Sequence, residues 1–215
     1  MRLYDSFGMN PRMVRFFIRE KRIEIPSVEV DIVSGECRQE PYLSRNPTGQ
    51  TPLLELDDET HIAESWAICE YLEDRFPEPP LVGRTAEERA VTRMWWRRVE
   101  QNICLPMLHG FYYAEALDVY RHRIFCIPEA ATGLKAKGRE GMQWLDPLLA
   151  GRQWLAGERF TVADICLYCY LDLLRGAGQP IPGDCKHLLA WFDCVGSRPA
   201  AAASAWREQL MGLTG

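Results

Sequence analysis

The sequence has no long apolar run, no long cluster of lysine and arginine, and only four histidines among 215 residues. A membrane-spanning helix needs about 18 consecutive apolar residues, so we expect none. The formal net charge of −5 and the absence of a basic run argue against a general binder of nucleic acid or anionic membranes. Residues 1–17 carry scattered charges and no apolar core, which predicts no signal peptide and a cytoplasmic protein.

The eight cysteines lack the pattern of a disulfide framework or a metal site. They are dispersed over a large chain, so reduced thiols are expected. Cys166 and Cys169 form a C-x-x-C motif, but no second pair of ligands follows at a spacing that suits a metal. The motif also lies in a strongly apolar segment, whereas a redox pair favours an accessible helix start. The sequence therefore predicts core cysteines and no bound metal.

One proline-rich segment divides the chain. Residues 76–85, FPEPPLVGRT, contain three prolines and a glycine between two helical patterns, which is typical of a linker. We predict a first domain at residues 1–76, a linker at 77–84 and an all-helical domain at 85–215. The patterns of the first domain predict the order strand, helix, strand, helix, strand, strand, helix. This order implies a small mixed sheet with helices packed on it, an α+β fold.

Several element boundaries carry recognisable signals. Asn10 is predicted as an N-cap with Pro11 at the first helical position, and residues 28–32, VEVDI, alternate as a strand. Pro106 is expected to bend or end a long helix. Two capping boxes open helices of the second domain, Thr85 with Glu88 and Thr161 with Asp164. Removing the Asp164 cap is expected to cost about 1 kcal/mol.

A proline at the start of a strand and an acid–serine pair at a helix start mark the two ends of one hairpin. Strand prolines are confined to first positions, edges or bulges, and helix starts attract anions. Together with three other stretches, this hairpin resembles the glutathione transferase superfamily over nearly the whole chain. The stretches are NPTGQTPLLELDDETHIAES (46–65), ICEYLEDRFP (68–77), WLAGERFTVADI (154–165) and SRPA (197–200).

This resemblance implies a thioredoxin-like N-terminal domain, an all-helical C-terminal domain and a site for glutathione, which would be a substrate. The Thr51–Pro52 bond would be cis, and the Thr51 backbone would pair with the cysteinyl backbone of glutathione. Ser65 and Glu64 would hold the γ-glutamyl end, and Gln50 would bind nearer the glycyl end. Taken alone, Glu64–Ser65 also fits an ordinary helix cap. Their proximity in sequence to Gln50, Thr51 and Pro52 favours the ligand.

The catalytic loop departs from the family pattern. Many members place a Ser, Cys or Tyr near the start of the first helix, but here the loop reads Ser6-Phe7-Gly8-Met9. Two candidates for activating the thiol remain, Asn10 at the helix start and Ser6 three residues before Met9. The electrophile pocket is predicted from Phe7 and from polar groups of the second domain, with His109, Tyr112 and Tyr113 as the candidates that also hold a water.

Two functions fit this sequence. The first is a glutathione transferase that conjugates glutathione to a small hydrophobic electrophile, works in detoxification and forms a homodimer. The second is a non-catalytic protein of the same fold that serves in interaction or dimerisation. The complete set of glutathione-binding residues favours the enzyme, whereas the missing catalytic hydroxyl favours the interaction protein.

Overall fold

The computed structural model describes residues 1–205. Its sheet has four strands in the order β2-β1-β3-β4. The strands are β1 Arg2–Asp5, β2 Ser27–Glu29, β3 Leu53–Glu55 and β4 His61–Ala63. Strand β1 runs parallel to β2 and antiparallel to β3, and β3 pairs antiparallel with β4. The mixed sheet is the one that the sequence predicts for the first domain.

Helices make up most of the remaining described chain. Their bounds are α1 Met9–Lys21, α2 Tyr42–Arg45, α3 Ser65–Arg75, α4 Ala86–Val99, α5 Leu105–Tyr112, α6 Leu117–Tyr120, α7 Ala131–Leu145, α8 Val162–Gly176, α9 Lys186–Gly196 and α10 Pro199–Ala203. No strand follows β4 within residues 1–205. The α+β fold class, with a sheet first and helices after it, is therefore confirmed. The exact domain limits stay a prediction.

Two predicted boundaries in the first domain are wrong. Helix α1 begins at Met9 with Gly8 as its cap, at φ 125°, so Asn10 is a residue of the first turn and not the N-cap. Strand β2 ends at Glu29 because Asp31 starts a turn, in which its Oδ1 accepts from the Val33 and Ser34 N–H groups at 2.9 and 3.0 Å. Aspartate competes in this way with strand pairing.

Pro106 lies after a widened turn. The segment Glu100–Cys104 is a π-helix, and the Leu105 N–H donates to the Glu100 carbonyl, one residue farther back than in an α-helix. Pro106 is the second residue of α5, where its missing N–H costs nothing. The predicted interruption near Pro106 therefore takes the form of a π-turn that joins α4 to α5.

A buried ion pair fixes the segment between the two domains. Lys21 at the end of α1 lies 2.5 Å from Glu73 of α3, and their side chains are 0% and 3% exposed. The ammonium also donates to the carbonyls of Phe76 and Pro79. The Glu73 carboxylate accepts from the N–H groups of Leu81, Val82 and Gly83. We call Lys21 and Glu73 the linker clamp, because their side chains pair with backbone groups of residues 76–83.

The two predicted capping boxes differ in burial. Thr161 and Asp164 form the complete box at the start of α8, as predicted. Asp164 is 0% exposed and additionally accepts from the Leu155 N–H and the Trp191 indole, both at 2.9 Å. At the start of α4, Thr85 accepts from the Glu88 N–H at 3.2 Å, and the Glu88 carboxylate accepts from the Arg84 N–H at 2.7 Å and bonds to the Thr85 backbone. This second box lies at an exposed helix start.

The C-x-x-C cysteines belong to the core, as the sequence predicts. Cys166 and Cys169 are 1% and 0% exposed in α8. Burial raises the pKa of the Cys166 thiol well above the usual range for cysteine. It raises the pKa of the Cys169 thiol to about 12. Such thiols stay protonated at neutral pH and are poor nucleophiles.

Candidate active site

A cavity of about 150 Å³ lies between the two domains. The first domain contributes three loop segments, residues 7–11, 32–38 and 49–51, which follow β1, follow β2 and precede β3. The helical domain contributes α5, α6 and the residues just after α6, together with Leu173 of α8. Segments far apart in sequence thus meet around one space, with aromatic side chains on the helical side.

The loop before β3 is fixed by side chains beneath it. The carbonyl of Gln50 accepts from the Tyr42 hydroxyl at 2.6 Å and from the Asn46 amide at 2.8 Å. The Thr51–Pro52 bond is cis, as the sequence resemblance implies. Gln50 and Thr51 line the cavity, while Pro52 is buried behind them. The edge next to β3 therefore presents Gln50 and Thr51 in a fixed arrangement.

Glu64 and Ser65 lie at the start of α3, outside the immediate lining of the cavity. Glu64 is exposed and has φ 68°, a left-handed conformation that is uncommon for a non-glycine residue. Ser65 is 7% exposed, and its hydroxyl donates to the Asn10 carbonyl at 3.2 Å. The N-termini of α1 and α3 are thus adjacent. Their unpaired N–H groups favour anions on this side of the cavity.

The two candidates for activating a thiol have different surroundings. Ser6 is 1% exposed and does not line the cavity, and its hydroxyl is bonded to the Phe7 carbonyl and to the Thr51 hydroxyl. Asn10 lines the cavity. Its Oδ1 accepts from the Tyr170 hydroxyl at 2.9 Å, and its Nδ2 donates to no atom of the described residues. Asn10 therefore offers a positioned donor at the start of α1.

Only some of the residues predicted to form the electrophile pocket line the cavity. Phe7 and Tyr112 line it, whereas His109 and Tyr113 do not. His109 stacks on Tyr113 with ring centroids 5.8 Å apart, and burial lowers the pKa of His109 below its usual 6.5. Burial also raises the pKa of Tyr112 well above 10.0, so its phenol remains a hydrogen-bond donor at neutral pH.

Two cavity arginines were missed by the sequence reasoning. Arg38 lies close to Gly49, where an added Cβ would come 2.7 Å from the Arg38 Cδ. Arg123 follows α6 and donates to the Val33 carbonyl at 3.1 Å. Neither forms an ion pair with a carboxylate of residues 1–205. Their separation of 85 residues in sequence left no local signal that the two share a site.

Two negative findings apply to the described part of the chain. Residues 1–205 contain no group of three or more His, Cys, Asp or Glu side chains placed to hold a metal ion. None of the helices in this range is long and apolar enough to cross a membrane.

Comparisons with known proteins agree on one family. The model of the glutathione S-transferase N-terminal domain matches residues 4–80, and that of the C-terminal domain matches residues 128–194. The chain is 30% identical to Glutathione S-transferase 2 of Saccharomyces cerevisiae, over 93% of this chain and 87% of the yeast protein. It is 31% identical to FtsZ-localized protein A of Caulobacter vibrioides, over 92% of this chain and 88% of that protein.

A solved structure gives the same result. The crystal structure of a glutathione S-transferase domain-containing protein from Marinobacter aquaeolei VT8 matches with a TM-score of 0.89 and 37% sequence identity. The match covers 94% of this chain and 100% of that chain.

Proposed function

Because the chain belongs to the glutathione transferase superfamily, we propose that it conjugates glutathione to a small hydrophobic electrophile in the cavity between its domains. The observation that carries this proposal is the meeting of Asn10, Gln50 and Thr51 on one wall, beside the N-termini of α1 and α3. The opposite wall is aromatic and comes from α5 and α6. The wall formed by the first domain suits a peptide with two carboxylates, and the aromatic wall suits an apolar second substrate.

Glutathione is assigned an extended pose along the first domain. Its cysteinyl backbone pairs with the backbone of Thr51, as an added strand would. Ser65 and the start of α3 take the γ-glutamyl carboxylate, and exposed Glu64 takes its ammonium. Gln50 and Arg38 take the glycyl carboxylate. The absence of a carboxylate partner for Arg38 in residues 1–205 supports the last assignment.

The thiol is activated at the start of α1. The first turn of a helix leaves N–H groups unpaired and carries positive partial charge, which stabilises a thiolate and lowers the pKa of a thiol. Asn10 adds its Nδ2 donor, whose orientation is set by the bond from Tyr170. A water held near Tyr112, with His109 and Tyr113 behind it, assists. Ser6 is the rival group, but its hydroxyl is bonded elsewhere.

A glutathione-affinity column and a conjugation assay test this function together. The expected result is retention on immobilised glutathione, release by free glutathione, and turnover of 1-chloro-2,4-dinitrobenzene above the uncatalysed rate. Absence of retention would remove the glutathione site. Retention without turnover of any electrophile in a broad panel would leave binding as the activity and remove the enzyme.

A second candidate is a non-catalytic interaction protein of this fold. It is favoured by the similarity to FtsZ-localized protein A and by the methionine at the usual catalytic position, Met9. The assay above separates the two candidates. In either case we propose a cytoplasmic homodimer, for which the partly exposed apolar residues Val91 and Met94 of α4 are the candidate contacts, and for the enzyme a role in detoxification.

A further inference from the structure

The charged residues of the cavity lining are all positive. Arg38 and Arg123 line the cavity, and no aspartate or glutamate does. Within residues 1–205 neither arginine is neutralised by an ion pair. Two guanidinium groups without an ion-pair partner give the lining a positive charge that attracts anionic ligands, and Asp31 interacts with Arg123 electrostatically from outside the lining.

The two arginines lie on different walls. Arg38 belongs to the first domain and adjoins the Gly49–Gln50 loop. Arg123 belongs to the helical domain, where its guanidinium carbon lies 5.8 Å from the centre of the Tyr120 ring. Tyr120 in turn stacks on Tyr112 with ring centroids 3.7 Å apart. Arg123 is therefore attached to the aromatic wall, beside the position for the second substrate.

The charges of glutathione account for one of these arginines. In the proposed function, the γ-glutamyl carboxylate lies at the start of α3 and the glycyl carboxylate pairs with Arg38. Both carboxylates of glutathione then have partners, and the Arg123 guanidinium binds neither of them. One of its five N–H donors is used by the Val33 carbonyl, and the others are available to a ligand.

We propose that Arg123 selects aromatic electrophiles that carry a carboxylate. This inference rests on the proposed function and specifies its second substrate. The ring packs against Phe7, Phe111 and Tyr112, and the carboxylate pairs with the Arg123 guanidinium. In the reaction, the glutathione thiolate forms a C–S bond to the ring carbon that bears the halide, the C–halogen bond breaks, and halide leaves. The thiol proton passes to solvent when the thiolate forms.

The test compares two substrates that differ only in charge, 4-chloro-3,5-dinitrobenzoate and 4-chloro-3,5-dinitrobenzamide. We expect Arg123→Gln to lower kcat/KM for the benzoate about tenfold, the usual effect of losing a charge-assisted hydrogen bond, with less than about a twofold change for the amide. Arg123→Lys should retain most of the preference. Arg121→Gln is the matched control, because Arg121 is exposed and pairs with Asp118 outside the cavity. It should change neither value.

Other outcomes overturn the inference in recognisable ways. An equal fall for both substrates assigns Arg123 a structural role through Val33. A fall in glutathione affinity of Arg123→Gln, measured by calorimetry, assigns it to glutathione.

If neither substrate is conjugated, the electrophile panel decides the proposed function, and binding decides the inference separately. Calorimetry with 3,5-dinitrobenzoate and 3,5-dinitrobenzamide should then show a preference for the acid that Arg123→Gln abolishes. Equal affinities for the two compounds in the unaltered protein would overturn it.

Discussion

The side chains of Ser6 and Asn10 lie only four residues apart but face different environments. The Ser6 hydroxyl is consumed by bonds to Phe7 and Thr51, whereas the Asn10 amide is oriented by Tyr170 and lines the cavity. Both residues are candidates by sequence because the direction of a loop side chain has no local signature. Burial is what separates them.

Kinetics on alanine variants test this assignment. Asn10→Ala should lower kcat/KM about 10²-fold, by analogy with the loss of one oxyanion donor. It should also shift the pH–rate profile to higher pH, because a thiolate with one donor fewer has a higher thiol pKa. Ser6→Ala should leave the profile in place. The assignment is wrong if Ser6→Ala abolishes turnover while Asn10→Ala leaves it intact.

Glu64 offers a second test at the residue scale. Glu64→Ala should weaken glutathione binding about ten- to a hundredfold, since it removes a charge-assisted hydrogen bond worth about 1.5–3 kcal/mol. Glu59→Ala is a matched control, because Glu59 has φ 66°, close to the 68° of Glu64, and lies in the turn between β3 and β4. Both variants remove an exposed glutamate at a positive φ, but only Glu64 lies beside the proposed ligand. Equal affinities of the two by calorimetry would contradict the assignment.

Ser65 is a less clean probe than the sequence suggests. Ser65→Ala is also expected to weaken glutathione binding, but its hydroxyl has an internal partner in the Asn10 carbonyl. The variant should therefore also lose about 1 kcal/mol of folding free energy, as is typical for one hydrogen bond. A binding change in Ser65→Ala has to be read together with the change in thermal midpoint.

At the scale of the elements, patterns with two independent signals were predicted correctly. Strand β3 follows Pro52 and is apolar, and helix α8 opens with a capping box before an apolar run. The start of α1 was not predicted, because Asn-Pro is equally compatible with a cap and with a first turn. The cavity residues Arg38 and Arg123 were not predicted for a different reason, because only folding brings these two distant positions to one cavity.

The Asp164 cap illustrates how burial changes an energy. The sequence predicts about 1 kcal/mol for this residue, a value suited to an exposed cap. In the fold the carboxylate accepts from three N–H groups and a hydroxyl in a fully buried site. We therefore expect Asp164→Ala to cost at least about 3 kcal/mol, because several buried donors lose their acceptor.

Urea unfolding measures this difference, and Thr85→Ala provides the control. Thr85 caps the exposed start of α4 through one bond from Glu88, so its loss should cost only about 1 kcal/mol. Equal losses of unfolding free energy in the two variants would show that the additional partners of Asp164 contribute nothing.

On the scale of the whole molecule, the two domains are joined by more than the chain between them. Arg12 of α1 pairs with Asp172 of α8 at 2.5 Å, and Arg198 before α10 pairs with Glu20 at 2.7 Å. The linker clamp adds a buried pair that binds the connecting backbone directly. The relative position of the two cavity walls depends on these contacts.

Glu73→Gln should destabilise the protein by about 3–5 kcal/mol, because Lys21 keeps a buried charge without a counterion. The double variant Lys21→Met/Glu73→Gln should recover part of this loss, since both charges are gone. The exposed pair of Arg84 and Glu78, with side chains 60% and 64% exposed, is the control, and Glu78→Gln should change stability by less than about 1 kcal/mol. Urea denaturation of the unaltered protein and of the three variants gives these values. A loss in Glu73→Gln no larger than in Glu78→Gln would contradict the role of the clamp.

The linker clamp also limits where this chain can be recombined with a relative. A crossover placed at Phe76, the predicted end of the first domain, separates Lys21 from the native Pro79 and Glu73 from the native backbone at residues 81–83. A crossover after Arg84 keeps the whole contact within one parent. Chimaeras made at the later point inherit the glutathione wall from one parent and the aromatic wall from the other. Electrophile preference should then follow the second parent, provided that this parent supplies the partners that Asn10, Arg12 and Glu20 have in Tyr170, Asp172 and Arg198.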